Sequence, residues 1–265
     1  MTPAAVTLRH AAVSRYIAPL REGGSLPALA EADDGFKYVV KLGGAGHGTK
    51  ALIAEMVGGE IARQAGLKVP ELVLLDLDAD FGRTEPDEEV QELLRKSEGL
   101  NLGLHFLSGA VTWDVAVDRT DTVTASRIVW LDSFLTNVDR TARNTNMLLR
   151  GDELWLIDHG ASLYFHHSWQ GWEKTALSAF TYIKDHALLP RATRLREADD
   201  YMRRTITPEF LAGVVDALPQ LWLEQAAPEI APEEQRRVYR EFLTRRLEAS
   251  SIFTDHAIAA RKALV

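Results

Sequence analysis

Asp139, Asn144 and Asp158 are the residues of this sequence whose types and spacing could do chemistry. Asp139 and Asn144 stand five apart, after a segment of helical period and before an apolar strand. Asp158 closes the second strand of a hairpin pattern, NMLL–RGDE–LWLID. Such a hairpin returns Asn144 and Asp158 to one end, beside Asp139. Phosphoryl transfer needs a carboxylate to orient a hydroxyl nucleophile, and hard oxygen ligands for Mg²⁺, a metal that keeps several waters and takes few protein groups. The bland alternative is a polar turn capped by its own Asn and Asp side chains. It accounts for Asp139 alone more readily than for all three together.

A second pair lies upstream. Lys41 ends the apolar strand FKYVVKL and Glu55 is expected one turn into the following helix. The two could pair and hold an anionic ligand, or be a strand-end lysine in solvent and a surface glutamate. GGAGHGTK (43–50) has two glycines at the spacing of a phosphate loop, but Thr49-Lys50 inverts the Lys-Ser/Thr order that carries that chemistry. The commonest meaning of such a stretch is a flexible surface loop; the other role open to its glycines, or to Gly23 and Gly24 with Ser25, is offering backbone N–H groups to phosphate. Arg140 and Arg143 flank Asp139; each either neutralises phosphate or pairs with a nearby carboxylate. Asn146 is read as a turn contact rather than a further metal ligand. His159, His166 and His167 lack the pattern of a zinc site and are expected to pack or hydrogen-bond. Trp169 and Trp172 are expected in the core rather than in a substrate groove.

The elements that must position these residues divide the chain of 265 residues into two parts. Residues 1–110 mix strands (15–20, 36–42, 72–78 and 99–110) with an amphipathic helix over TKALIAEMVGGEIARQAG and a short one over DEEVQELLRKS. REGGSLPALAEADDG is expected to be a hairpin-like connection between the first two strands. Residues 111–265 are mostly helical apart from the hairpin. The expected class is α+β, with a β-rich N-terminal lobe and a mostly helical C-terminal lobe. Hydrophobic residues make up 46%, enough for a proper core. Lys and Arg number 30 against 38 Asp and Glu, and a net charge of −8 argues against a nucleic-acid partner. The absence of cysteine excludes disulfides and thiolate metal sites and fits a reducing cytoplasm. No window approaches the roughly 18 apolar residues of a membrane span.

NVDRTARNTNMLL and LWLIDHGASLYFHH, with FKYVVKL, AEMVGGEIARQAGLKVPE and GLNLGLHFLSG in order before them, resemble the HipA-like kinases, relatives of the protein-kinase and phosphatidylinositol-kinase fold. The resemblance covers roughly residues 15–170. It implies a two-lobed kinase fold with ATP and Mg²⁺ in the cleft and transfer of the γ-phosphoryl group to a hydroxyl acceptor. By it, Lys41 would contact the nucleotide phosphates with support from Glu55, Asp139 would be the catalytic base, and Asn144 and Asp158 would hold the metal. The adenine would lie against the backbone near Phe106 and Leu107. Asp-His-Gly (158–160) stands where typical protein kinases have Asp-Phe-Gly, and Asn-Val-Asp (137–139) where they have His-Arg-Asp, so activation-loop rules do not transfer. The acceptor is left open among protein, lipid headgroup, small molecule and antibiotic. AMP transfer and nucleotide binding without catalysis stay open as alternatives.

Overall fold

The computed structural model describes residues 6–20, 26–83 and 85–264. Five strands close into a barrel in the order β1-β2-β3-β5-β4, formed by β1 (Arg9–Pro19), β2 (Ala28–Ala32), β3 (Lys37–Lys41), β4 (Leu72–Leu77) and β5 (Gly99–His105). Neighbours are antiparallel except β1 and β4, which run parallel and complete the ring. The fold is therefore α+β with a strand-rich N-terminal part, as expected, but that part is a closed barrel. The stretch expected to be a plain connection over residues 21–35 contains β2. Its alanines 28, 30 and 32 point inward at period two, where only small side chains fit beside Tyr38, Val40, Val73 and Leu75.

The same alternation on β3 decides where Lys41 goes. Tyr38 and Val40 fill the barrel, so Val39 and Lys41 emerge on the opposite face. Against that outer face lies α1 (Gly48–Gln64), which joins the larger core rather than the barrel's own. Two glycines sit in the middle of α1, at a cost of about 1 kcal/mol each relative to alanine in an exposed helix. Both are explained by close approach. A Cβ on Gly59 would lie 2.8 Å from Leu72, and one on Gly58 would lie 2.7 Å from His159. Helix α2 (Glu88–Lys96) covers the barrel, with Asp87 accepting from the N–H groups of Glu89 and Val90.

A three-stranded sheet follows, β6 (Val111–Thr112), β7 (Met147–Arg150) and β8 (Glu153–Leu156). The hairpin β7–β8 turns through Gly151 and Asp152, with Gly151 at φ +60°. Between β6 and β7 runs α3 (Thr122–Leu135), capped by Asp121 and ended by Thr136 in the left-handed conformation. The remainder is helical: α4 (Trp172–Ala176), α5 (Leu195–Thr205), α6 (Pro208–Asp216), α7 (Gln220–Ala226), α8 (Pro232–Glu248) and α9 (Ser250–Lys262). Pro219, which has no N–H to continue a helix, separates α6 from α7.

These helices hold α1 in place. Trp222 of α7 donates its indole N–H to Leu100 O in β5 (2.9 Å), Gln64 donates to Thr205 O (3.0 Å), and Tyr201 donates to Ala65 O (3.3 Å). Among the described residues no helix is long and apolar enough to cross a membrane.

Candidate active site

Asp139 lies in the loop between α3 and β7, and a buried carboxylate beneath fixes that loop. Asp132 is fully buried in α3. Its Oδ1 accepts from Asn137 Nδ2 (2.9 Å), and its Oδ2 accepts from Arg140 Nε (2.6 Å) and lies 2.8 Å from His186 Nε2. Burial disfavours the charge on Asp132, but Arg140 and His186 outweigh it and hold the carboxyl well below its usual range. Arg140 also donates to Asn146 O and to Ile157 O, so one side chain binds α3, the Asp139 loop and the segment after β8. Of the two roles open to Arg140, the structure selects pairing with a carboxylate. Arg143 is exposed and lines the cleft beside Asp139.

Asp139 itself is half-buried. Its N–H donates to Asn137 Oδ1 (3.1 Å), and its Oδ2 accepts from Asn144 Nδ2 (2.7 Å) and Asn146 Nδ2 (3.2 Å). A carboxylate cannot donate, so Asn144 must turn its NH₂ toward Asp139, which leaves its amide oxygen for another partner. Asn146, expected as a turn contact, therefore touches Asp139 directly.

Asp158 is two residues beyond the end of β8 rather than in it, at φ +58°. Left-handed backbone at a non-glycine residue is uncommon and costs on the order of 1–3 kcal/mol. Here it swings the carboxylate off the strand line toward Lys41, whose Nζ is 2.8 Å from Asp158 Oδ1. Glu55 lies two turns into α1, not one, and its Oε2 is 3.8 Å from the same Nζ. Both members of the upstream pair are thus largely or fully buried, which removes the solvent-exposed alternative. Burial opposes the charge of Lys41, but Glu55 and Asp158 prevail and raise its pKa. Burial likewise opposes the charge of Glu55, while Lys41, followed by the ring and backbone of His159, holds its carboxyl below the usual range.

A cleft of about 870 Å³ joins these parts. Val39 and Lys41 line it from the barrel, Phe106 and Leu107 from the segment after β5, Asp139 and Asn144 from the loop before β7, and Asp158 from the segment after β8. The Phe106 N–H is committed to Lys37 O (2.8 Å). The GGAGHG loop is not part of this lining, and the backbone role left to it is not available at its first two residues. Gly43 N–H donates to Asn101 Oδ1 (2.7 Å) and Gly44 N–H to Ser97 Oγ (3.0 Å), which fasten the loop to α2 and β5. Gly23, Gly24 and Ser25 fall outside the described residues.

The donor set suits Mg²⁺. Among the described residues no three His, Asp or Glu side chains converge as a metal cage. The free amide oxygen of Asn144 and the second carboxylate oxygen of Asp158 are hard ligands, and this ion takes most of its remaining shell from phosphate and water. Of the histidines singled out in the sequence, His166 Nδ1 is 2.8 Å from Tyr239 Oη, and His167 packs against His47. Trp172 is buried under Arg245, and Trp169 packs on Phe165 and Tyr239; neither lines the cleft.

Residues 13–251 match the family model described as HipA-like kinase. The chain belongs to the HipA-like kinase family. This HipA-like kinase resembles in structure the Helicobacter pylori proinflammatory kinase CtkA, with a TM-score of 0.57, 14% sequence identity, and coverage of 97% of this chain and 99% of that one. At that identity the likeness establishes the fold. No curated protein matches the sequence. Family and fold together support a kinase-type phosphotransferase. In this HipA-like kinase Asp132 and His186 lie outside the motifs that mark the site, and Asn137, evident in the sequence only as a departure from His-Arg-Asp, links Asp132 to the Asp139 N–H. Asp132 carried a signal, a lone carboxylate within the apolar run RIVWLDSFL, whereas His186 lies 54 residues away with none.

Proposed function

We propose that the protein transfers the γ-phosphoryl group of ATP to a hydroxyl acceptor in an Mg²⁺-dependent reaction. What carries the reading is the meeting of Lys41, Asp139, Asn144 and Asp158 on one cleft. Asp139 Oδ2 is occupied by two amides, so Oδ1 is the atom to take the acceptor's proton. The acceptor oxygen then bonds to the γ-phosphorus as the bond to the bridging oxygen breaks, releasing ADP. Lys41 steadies the phosphates, and Asn144 and Asp158 hold Mg²⁺, which when bound neutralises phosphate charge. The adenine lies along Phe106 and Leu107, with the Leu107 N–H the backbone donor a base can address, since the Phe106 N–H is bonded to Lys37 O and Leu107 O accepts from Ala110 N–H. In this reading residues 1–110 bind nucleotide, residues 111–265 supply the catalytic groups, and the setting is cytoplasmic.

Catalysis here is positioning and charge stabilisation, with no covalent work by the protein. The test is incubation with Mg²⁺ and ATP labelled at the γ or the α phosphate, with Asp158→Ala alongside. Label retained from γ-labelled ATP alone, and lost in the variant, is the expected result. Retained α label would mean AMP transfer, and binding without any label would leave a kinase lacking its true acceptor or a nucleotide-binding module.

A further inference from the structure

Glu55 is 1% exposed, and among the described residues neither of its carboxylate oxygens has a hydrogen bond. A buried carboxylate is tolerated only when opposite charge or donors surround it. Three groups stand near: Lys41 Nζ at 3.8 Å from Oε2, His159 Nδ1 at 3.6 Å from Oε1, and the backbone N–H of His159. Lys41 is shared, because it is closer to Asp158 and, in the function proposed above, also serves the nucleotide phosphates. His159 is not shared. Its ring is fully buried, and among the described residues both nitrogens lack a hydrogen-bond partner. The ring reaches this place because residue 58, three positions after Glu55 on the same face of α1, has no side chain.

We propose that His159 is a positioning residue: its ring supports Glu55, and through Glu55 keeps Lys41 aimed at the phosphates, while Gly58 is the opening that admits it. The inference rests on the nucleotide reading above and adds to it a role for the imidazole in Asp-His-Gly. An apolar ring at 159 would fill the space without offering a donor. As Lys41 turns toward phosphate, Glu55 would then be left buried with only the backbone N–H of residue 159, and its hold on Lys41 would slacken.

The test measures the Kd for ATP with Mg²⁺ in the wild type, His159→Phe, His159→Gln, Gly58→Ala, Glu55→Gln and the double variant Glu55→Gln/His159→Phe, with thermal melting as the check on folding. His159→Phe is expected to weaken binding by about ten- to a hundredfold, the range for lost support behind a ligand-contacting group. His159→Gln, which retains a donor, should recover most of that loss. In the double variant, His159→Phe should add nothing to the effect of Glu55→Gln. A role in packing alone predicts the opposite pattern, with Phe tolerated and Gln not, and that pattern would overturn the inference. Should His159→Phe not fold, Gly58→Ala carries the test: it keeps the imidazole but displaces it, and an unchanged Kd there would count equally against the proposal. ATP binding by the wild type with an unaffected His159→Phe would end this inference and leave the phosphotransferase standing. No ATP binding by the wild type would end both.

Discussion

Lys41 Nζ and Asp158 Oδ1 lie 2.8 Å apart, a cation carried by the barrel and a carboxylate carried by the segment behind the hairpin. Asp158→Ala should therefore abolish phosphoryl transfer while the protein remains folded, since Glu55 still accompanies Lys41. Label transfer and circular dichroism on the same preparation check both halves. Turnover at the wild-type rate would remove Asp158 from the mechanism.

Asp139→Ala should lower transfer by about 10²–10⁴-fold, the usual worth of a positioned general base, with little change in ATP affinity. The residue bonds to Asn144 and Asn146, whereas Phe106 and Leu107, which line the same cleft, belong to the segment after β5. A loss seen only in affinity would point to a nucleotide-holding role instead.

Arg140→Leu should destabilise the protein by about 3–5 kcal/mol, because it leaves the buried Asp132 without its nearest cation and takes a donor from Ile157 O, while Asn146 O keeps only the Ile157 N–H. Denaturant unfolding measures this directly. A change below about 1 kcal/mol would show the pair to be no more than a surface ion pair in its energetics.

The same carboxylate gives a pH dependence of known sign. The Asp132 carboxyl titrates below its usual range in the folded protein, and near about 3.9 when unfolded. Its contribution is therefore present above the unfolded value and lost as pH falls through the lower folded one. The melting-temperature advantage of the wild type over Asp132→Asn should narrow as pH is taken below about 4. An advantage that stays constant down to acid unfolding would contradict the assigned pairing.

The elements whose patterns are local could be read from the chain. Ile53, Val57 and Ile61 mark α1, and Gly151 between two apolar runs marks the β7–β8 hairpin. Asp139, Asn144 and Asp158 were legible for the same reason, since the hairpin that gathers them is short. What escaped depends on distant pairing or on unusual backbone. β2 is written in alanines, poor strand formers that belong there only because a barrel interior is narrow. The parallel pairing of Arg9 with Val73 has no local signature at all. Asp158 was assigned to the strand because nothing in LWLID announces a left-handed residue. The glycines at 43 and 44 suggested a flexible loop, yet Asn101 and Ser97 bind the N–H groups of this turn, and Gly44 is small because Lys96 and Ser97 press against it.

The strand order of the barrel also bears on how the chain is made. β1, β2 and β3 can pair as soon as they leave the ribosome, but β1 must wait for β4 and β3 must wait for β5, which fits between β3 and β4. Until His105 has emerged, the nascent sheet carries two open edges, β1 and β3 at first and β3 and β4 once β4 has joined β1, the state in which strands join to the wrong chain. A translation product arrested before Gly99 would keep both edges and self-associate, whereas one that extends past His105 can close the ring within a single molecule.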